Sequence, residues 1–190
     1  MAAAWRRLGS ALTGRFDGAV LVACEVPRDA PGPPTAAADA QALRSLRAWC
    51  LEGAGSLVLM DLAVLAPLQT PAQARRLATL LCLDLDGSWQ LLACAGTPGR
   101  LALRLRVKLS DAAWWRARRA ADPWDTGFAR VDAAALSAWP RFRPRRPTLV
   151  VLDAVDAEAR ACIAALQAAQ AAFDHPVRVL RLPPGAYMPA

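Results

Sequence analysis

Two aspartates in this chain each close an apolar run: Asp61 ends "SLVLMD" (56–61) and Asp153 ends "TLVVLD" (148–153). In α/β folds ligands gather outside the carboxyl ends of the strands, so two strand-end carboxylates there would face one site. With Asp156 they make the oxygen donor set that a hard cation such as Mg²⁺ prefers, and a metal-bound water would attack a phosphodiester. On that reading the protein is a metal-dependent nuclease or phosphatase. The plainer reading is that Asp153 and Asp156 open a helix. Asp84 and Asp86 in "DLDG" (84–87) then only turn the chain, since Asp and Gly are common turn formers.

Other catalytic chemistry finds little footing. His175, the single histidine, has Asp174 beside it, but adjacent residues point in different directions, and a cation ending a helix explains it. There is no G-x-S-x-G elbow, no Gly-rich dinucleotide fingerprint and no H-E-x-x-H. The five cysteines (24, 50, 82, 94 and 162) are widely spaced, form no C-x-x-C, and lie in or beside apolar runs as small hydrophobes. They read as reduced, buried thiols of a cytoplasm-like compartment. The chain is therefore expected to need no cofactor, Mg²⁺ being the alternative.

The apolar-then-Asp form of 56–61 resembles the second conserved strand of RecA-like ATPases. Residues 56–109 loosely follow that family's strand–helix–strand–strand order, with Asp61 in the Walker B-like place. No G-x-x-x-x-G-K-[ST] exists, and Lys108 is the only lysine, so a phosphate-cradling loop is missing. The resemblance implies a degenerate, non-hydrolysing relative.

Charge is distributed very unevenly. Residues 100–146 hold twelve basic side chains against four acidic ones, a net +8; the whole chain carries +7, so the remainder is at −1. Local positive potential attracts polyanions, and guanidinium matches phosphate geometry. Arg104, Arg106 and Lys108 alternate with apolar residues. Trp114 and Trp115 run into Arg116, Arg118 and Arg119, and Trp139 leads into Arg141, Arg143, Arg145 and Arg146. Interleaved aromatics would stack on unpaired bases. The prolines of "WPRFRPRRP" (139–147) forbid helix and suggest an exposed, extended basic arm. The competing reading folds the aromatics back onto the core and leaves the arginines to solvate them. An acidic protein surface would meet the same patch equally well, and no helix-turn-helix, RRM, KH or zinc-finger pattern singles out nucleic acid.

The elements that must hold these residues follow from periodicity. "GAVLVACEV" (18–26) is a Val-rich run expected of a strand covered on both faces. Thr35 or Asp39 would cap a helix running through Cys50, ended by Gly53 and Gly55. Residues 56–65 form a second buried strand, at least to Asp61. Thr70 and Pro71 open the next helix. "SWQLLACA" and "RLALRLRVKL" flank "GTPG" (96–99) as a hairpin whose second arm alternates. Residues 111–146 are irregular, with helices expected over 111–121 and 132–139. "PTLVVLDAV" (147–155) is a buried strand, 156–173 an amphipathic helix, and "VRVLRLP" (177–183) a short alternating strand.

Together these predict one α/β domain over 1–190. Its architecture would be a three-layer sandwich with a mainly parallel, Rossmann-like sheet and an antiparallel hairpin at one edge. Residues 111–146 embellish it. Residues 1–16, free of acids, read as a leading helix, with a mitochondrial-type presequence as the alternative. No apolar run is long enough for a membrane span. The expected function is non-catalytic: binding, through 100–146, of an anionic partner (nucleic acid or an acidic protein surface), or service as a subunit of a protein complex.

Overall fold

The computed structural model describes residues 17–24, 37–65, 70–93 and 122–183. Its strands are β1 Leu21–Val22, β2 Leu57–Asp61, β3 Asp125–Ala129, β4 Thr148–Leu152 and β5 Val177–Arg181. They make one sheet in the order β1-β3-β4-β5-β2, in which only the β1–β3 edge pair is antiparallel. The helices are α1 Ala37–Glu52, α2 Leu62–Leu65, α3 Pro71–Leu85, α4 Ser88–Ala93, α5 Ala133–Ala138 and α6 Asp156–Ala169. Two 3₁₀ turns, Trp139–Arg141 and Gln170–Ala172, complete the set.

Strand periodicity divides the core into two halves. Leu149 and Val151 of β4 and Leu180 of β5 face Leu43, Leu46, Leu77 and Leu81 of α1 and α3. Their neighbours Val150, Leu152, Val177 and Val179 face Ala159, Cys162 and Leu166 of α6, together with Trp139. Helices thus cover both faces, and all five residues of β4 are buried. This is the three-layer α/β arrangement, mainly parallel with an antiparallel edge.

Local signals explain several boundaries. Thr70 caps α3, its Oγ1 accepting from Gln73 N at 3.2 Å, with Pro71 in the first turn, where a missing N–H costs nothing. Gly87 takes φ +81° after α3, and Asp86 Oδ1 accepts from Ser88 N at 2.7 Å to start α4.

Three expectations need correction. Residues 18–24, the described part of the first expected strand, do not make one covered on both faces: β1 is a two-residue edge strand, and Val22 is half exposed. Ser88–Ala93, expected as the first arm of a hairpin and as a strand of the strand–helix–strand–strand order, is helical, and the antiparallel edge among the described residues is β1 with β3. A short apolar run does not by itself distinguish strand from buried helix. Finally, β3 lies inside the region expected to be irregular. Residues 1–16, 100–109 and the expected helix over 111–121 fall outside the described residues.

Candidate partner-binding segment

Of the basic segment, residues 122–146 are described, and they are part of the fold. Asp132 caps α5, its Oδ1 accepting from Ala135 N at 2.9 Å; that bond, first among several causes, lowers the carboxyl below its ordinary range. After α5 the chain turns through Trp139–Arg141 and bends at Arg145–Arg146 before entering β4. Trp139 is wholly buried. Its Nε1 donates to Arg130 O at 3.0 Å, and its ring meets Phe142 edge-on at 5.5 Å, which in turn meets Phe173 at 6.2 Å. Trp124 is also buried.

"WPRFRPRRP" is therefore not an exposed arm. Trp139 and Phe142 anchor it to the α6 side of the sheet, and Pro144 is buried. Arg145 holds Asp125, the first residue of β3, in a two-pronged pair: Nε to Oδ2 at 2.7 Å and Nη2 to Oδ1 at 3.0 Å. Arg146 Nη1 approaches the same carboxylate at 3.8 Å. Arg143 donates to the carbonyls of Phe142 and Pro140 at 2.7 and 3.3 Å. A recess of about 10 Å³, room for about one water, lies among Asp17, Asp125, Arg143 and Arg145.

The described segment thus sorts its arginines. Arg145 and Arg146 are part-buried and engaged with Asp125, whereas Arg130, Arg141 and Arg143 are exposed. Arg104, Arg106, Lys108, Trp114, Trp115, Arg116, Arg118 and Arg119 lie outside the described residues.

The strand-end aspartates share one edge of the sheet without converging. Asp61 is in register with Arg181 of β5, which on its other side is in register with Leu152 of β4. One strand therefore separates the Asp61 and Asp153 positions, about 10 Å at the usual strand spacing. Arg181 Nε donates to Asp61 Oδ1 at 2.6 Å, and Arg75 Nη1 of α3 lies 3.0 Å from Asp153 Oδ2. Arg75 also stacks over the Phe128 ring at 5.3 Å, tying α3 to the ends of β3 and β4. Burial raises the Asp153 carboxyl above its ordinary range, with Arg75 opposing. Asp156 is exposed in the first turn of α6. Among the described residues no three His, Cys, Asp or Glu side chains group as metal ligands, so the Mg²⁺ reading of Asp61, Asp153 and Asp156 has no shared centre. His175 sits in the bend before β5.

Two engaged side chains escape notice in the sequence. Arg178 lies in the middle of β5, 2% exposed, and reaches the end of α1. It donates to Cys50 O at 3.2 Å, to Gly55 O at 3.1 Å and to Gly53 O. The alternation of "VRVLRLP" suggests a wet face; here the guanidinium instead satisfies carbonyls that a helix end leaves open. Asp125 gave no signal, because its partners Arg145 and Arg146 follow twenty residues later.

Among the described residues no helix is long and apolar enough to cross a membrane. No family model, no curated protein and no solved structure matches the chain.

Proposed function

We propose that the protein is a non-catalytic binding protein whose basic segment, residues 100–146, engages an anionic macromolecular partner. The observation that carries this reading is the charge segregation: the segment is at +8 while the rest of the chain is at −1. A structural use of the arginines would pair them: Asp125 accounts for Arg145 and Arg146, and Asp132 with the Gly18 carbonyl for Arg130. Arg141 and Arg143 keep solvent-facing positions, and the densest charge, Arg116 to Arg119, belongs to the same stretch. The strand-end aspartates are each paired with an arginine, Asp61 with Arg181 and Asp153 with Arg75, so the basic segment rather than a carboxylate cluster supports the reading.

Affinity purification of the tagged full chain, with and without nuclease, tests the reading. Titration with single-stranded RNA and DNA across a salt series should accompany it. Nucleic acid as the partner gives co-purifying nucleic acid and an affinity that falls steeply with salt. An acidic protein as the partner gives a stoichiometric protein that survives nuclease. Replacing Arg116, Arg118 and Arg119 with Ala should weaken either interaction, and Asp61→Asn with Asp153→Asn should not. Recovery of neither class at low salt would reject the proposal.

A further inference from the structure

The one cysteine contact among the described residues joins the weakest strand to a helix. The antiparallel pairing Leu21↔Ala129 and Val22↔Phe128, carried two residues further, sets Cys24 beside Thr126. Thr126 is buried on the α3 side, where its Oγ1 donates to Cys82 O at 3.3 Å. Residues opposite one another in an antiparallel ladder share a face. Cys24 accordingly packs against the α1–α3 half of the core, in the cluster that also holds Cys82. The two sulfurs differ in access: Cys82 is wholly buried in α3, whereas Cys24 is only partly covered.

We propose that Cys24 and Cys82 are a reversible redox pair, in which a hydroperoxide oxidises Cys24 and Cys82 then closes a disulfide tying β1 to α3. In the first step the Cys24 thiolate attacks one peroxide oxygen, the O–O bond breaks, and Cys24 becomes a sulfenic acid. The other oxygen leaves and takes up the proton the thiol gave to solvent, as water from hydrogen peroxide or an alcohol from an organic hydroperoxide. In the second, the Cys82 sulfur attacks the Cys24 sulfur, the S–O bond breaks and a water leaves with the Cys82 proton. The two sulfurs lose two electrons in all and the peroxide gains them. A dithiol reductant reverses the step by exchange, leaving as its own cyclic disulfide.

Access sets the order of events, because the thiolate that oxidant can reach reacts first. The side-chain interaction with Cys24, followed by burial, holds the Cys82 thiol well above its ordinary range, which keeps Cys82 in waiting. Burial likewise pushes Cys50 and Cys162 up to about 12; what sets Cys82 apart is its place beside Cys24. The ordinary alternative is that the pair is packing alone; it differs in outcome under oxidant.

The test treats the reduced full chain with one equivalent of hydrogen peroxide, alkylates the remaining thiols, and maps the peptides by mass. The expected result is an intact chain lighter by two hydrogens, a Cys24–Cys82 cross-linked peptide, and full reversal by dithiothreitol. Cys24→Ser should abolish the cross-link, and Cys82→Ala should trap Cys24 as sulfenic or sulfinic acid. If Cys82→Ala fails to fold, the wild-type map decides alone. A wild-type chain that carries sulfinic Cys24 beside an alkylated Cys82, a cross-link to Cys94, or one between two chains overturns the proposal.

Discussion

Replacing Arg178 with Met tests whether β5 caps α1. Met keeps most of the aliphatic stem, so little cavity opens, and the change isolates the guanidinium. Helix α1 has no basic residue in its own last turn, which leaves Arg178 as the charge facing the negative end of its dipole. Of the four carbonyls released, those of exposed Gly55 and partly exposed Gly53 are reached by water, whereas Cys50 and Val177 are buried and the Cys50 carbonyl is stranded. A stranded acceptor costs about 1–3 kcal/mol, and the lost charge–dipole interaction adds about 0.3–2 kcal/mol. Relief of the desolvated charge subtracts from both. Arg178→Met should therefore lose about 2–4 kcal/mol in urea unfolding with an unchanged m-value. Arg178→Lys, with a compact ammonium in place of the fork, should fall between the two. Gly53→Ala is a second probe, since its Cβ would stand 3.0 Å from both Arg178 Nε and Trp49 O. It should cost about 1–3 kcal/mol, the usual penalty of overpacking. A loss under about 0.5 kcal/mol in Arg178→Met would refute the capping argument, because ordinary surface changes stay within that range.

Asp125→Asn strands Arg145 in a part-buried site and should cost about 2–4 kcal/mol, whereas Asp61→Asn, at a half-exposed pair, should cost under about 1 kcal/mol. Equal losses in chemical denaturation would contradict that ranking. Burial raises the Asp86 carboxyl above 3.8, the hydrogen bonds from Ser88 opposing. A raised folded-state pKa means its favourable contribution is complete below 3.8 and is lost as pH rises through the folded value. Asp86→Asn keeps an acceptor for Ser88 N and never ionises, so its Tm should gain on wild type from pH 3 to pH 7; a gap independent of pH would sink the assignment. Gly127→Ala would put a Cβ 2.5 Å from Val22 O and prise β1 from β3. Faster hydrogen exchange at Arg130 N, which donates to Val20 O at 2.8 Å, is the readout, and unchanged exchange would show that β1 stays attached.

Where one principle dominated locally, the sequence was legible. The Thr70–Pro71 start of α3, the Asp132 start of α5 and the buried run of β4 appear as read. Both β2 and β5 are strands as expected, but β2 is only half-buried and gives way to a helix after Asp61, and β5 is buried on both faces. The misses fall where tertiary context decides. Asp125–Ala129 reads "DTGFA", with a leading acid and a central glycine that argue against a strand; β4 beside it and the Arg145 pair supply what propensity lacks. Gly127 is the cue in retrospect, marking where the Val22 carbonyl passes close. No periodicity reveals that Arg178 is buried, because its acceptors lie at the end of a helix more than a hundred residues away.

The same distinction bears on the basic segment. Composition alone treats Trp139 and Arg145 like Arg141 and Arg143, yet the first two are anchors, one in the core and one on Asp125. Truncating Trp139 would be read as lost partner binding when it is lost folding, since removing a buried Trp costs about 3–5 kcal/mol. Among the described arginines, binding experiments should therefore use Arg141 and Arg143, whose exposed guanidiniums are removed with little change to the core. The anchors have their own bearing on recognition. Standing on either side of Arg141 and Arg143, Trp139 and Arg145 fix the backbone that carries them. A fixed backbone presents charge with less ordering cost on association than an unanchored arm would.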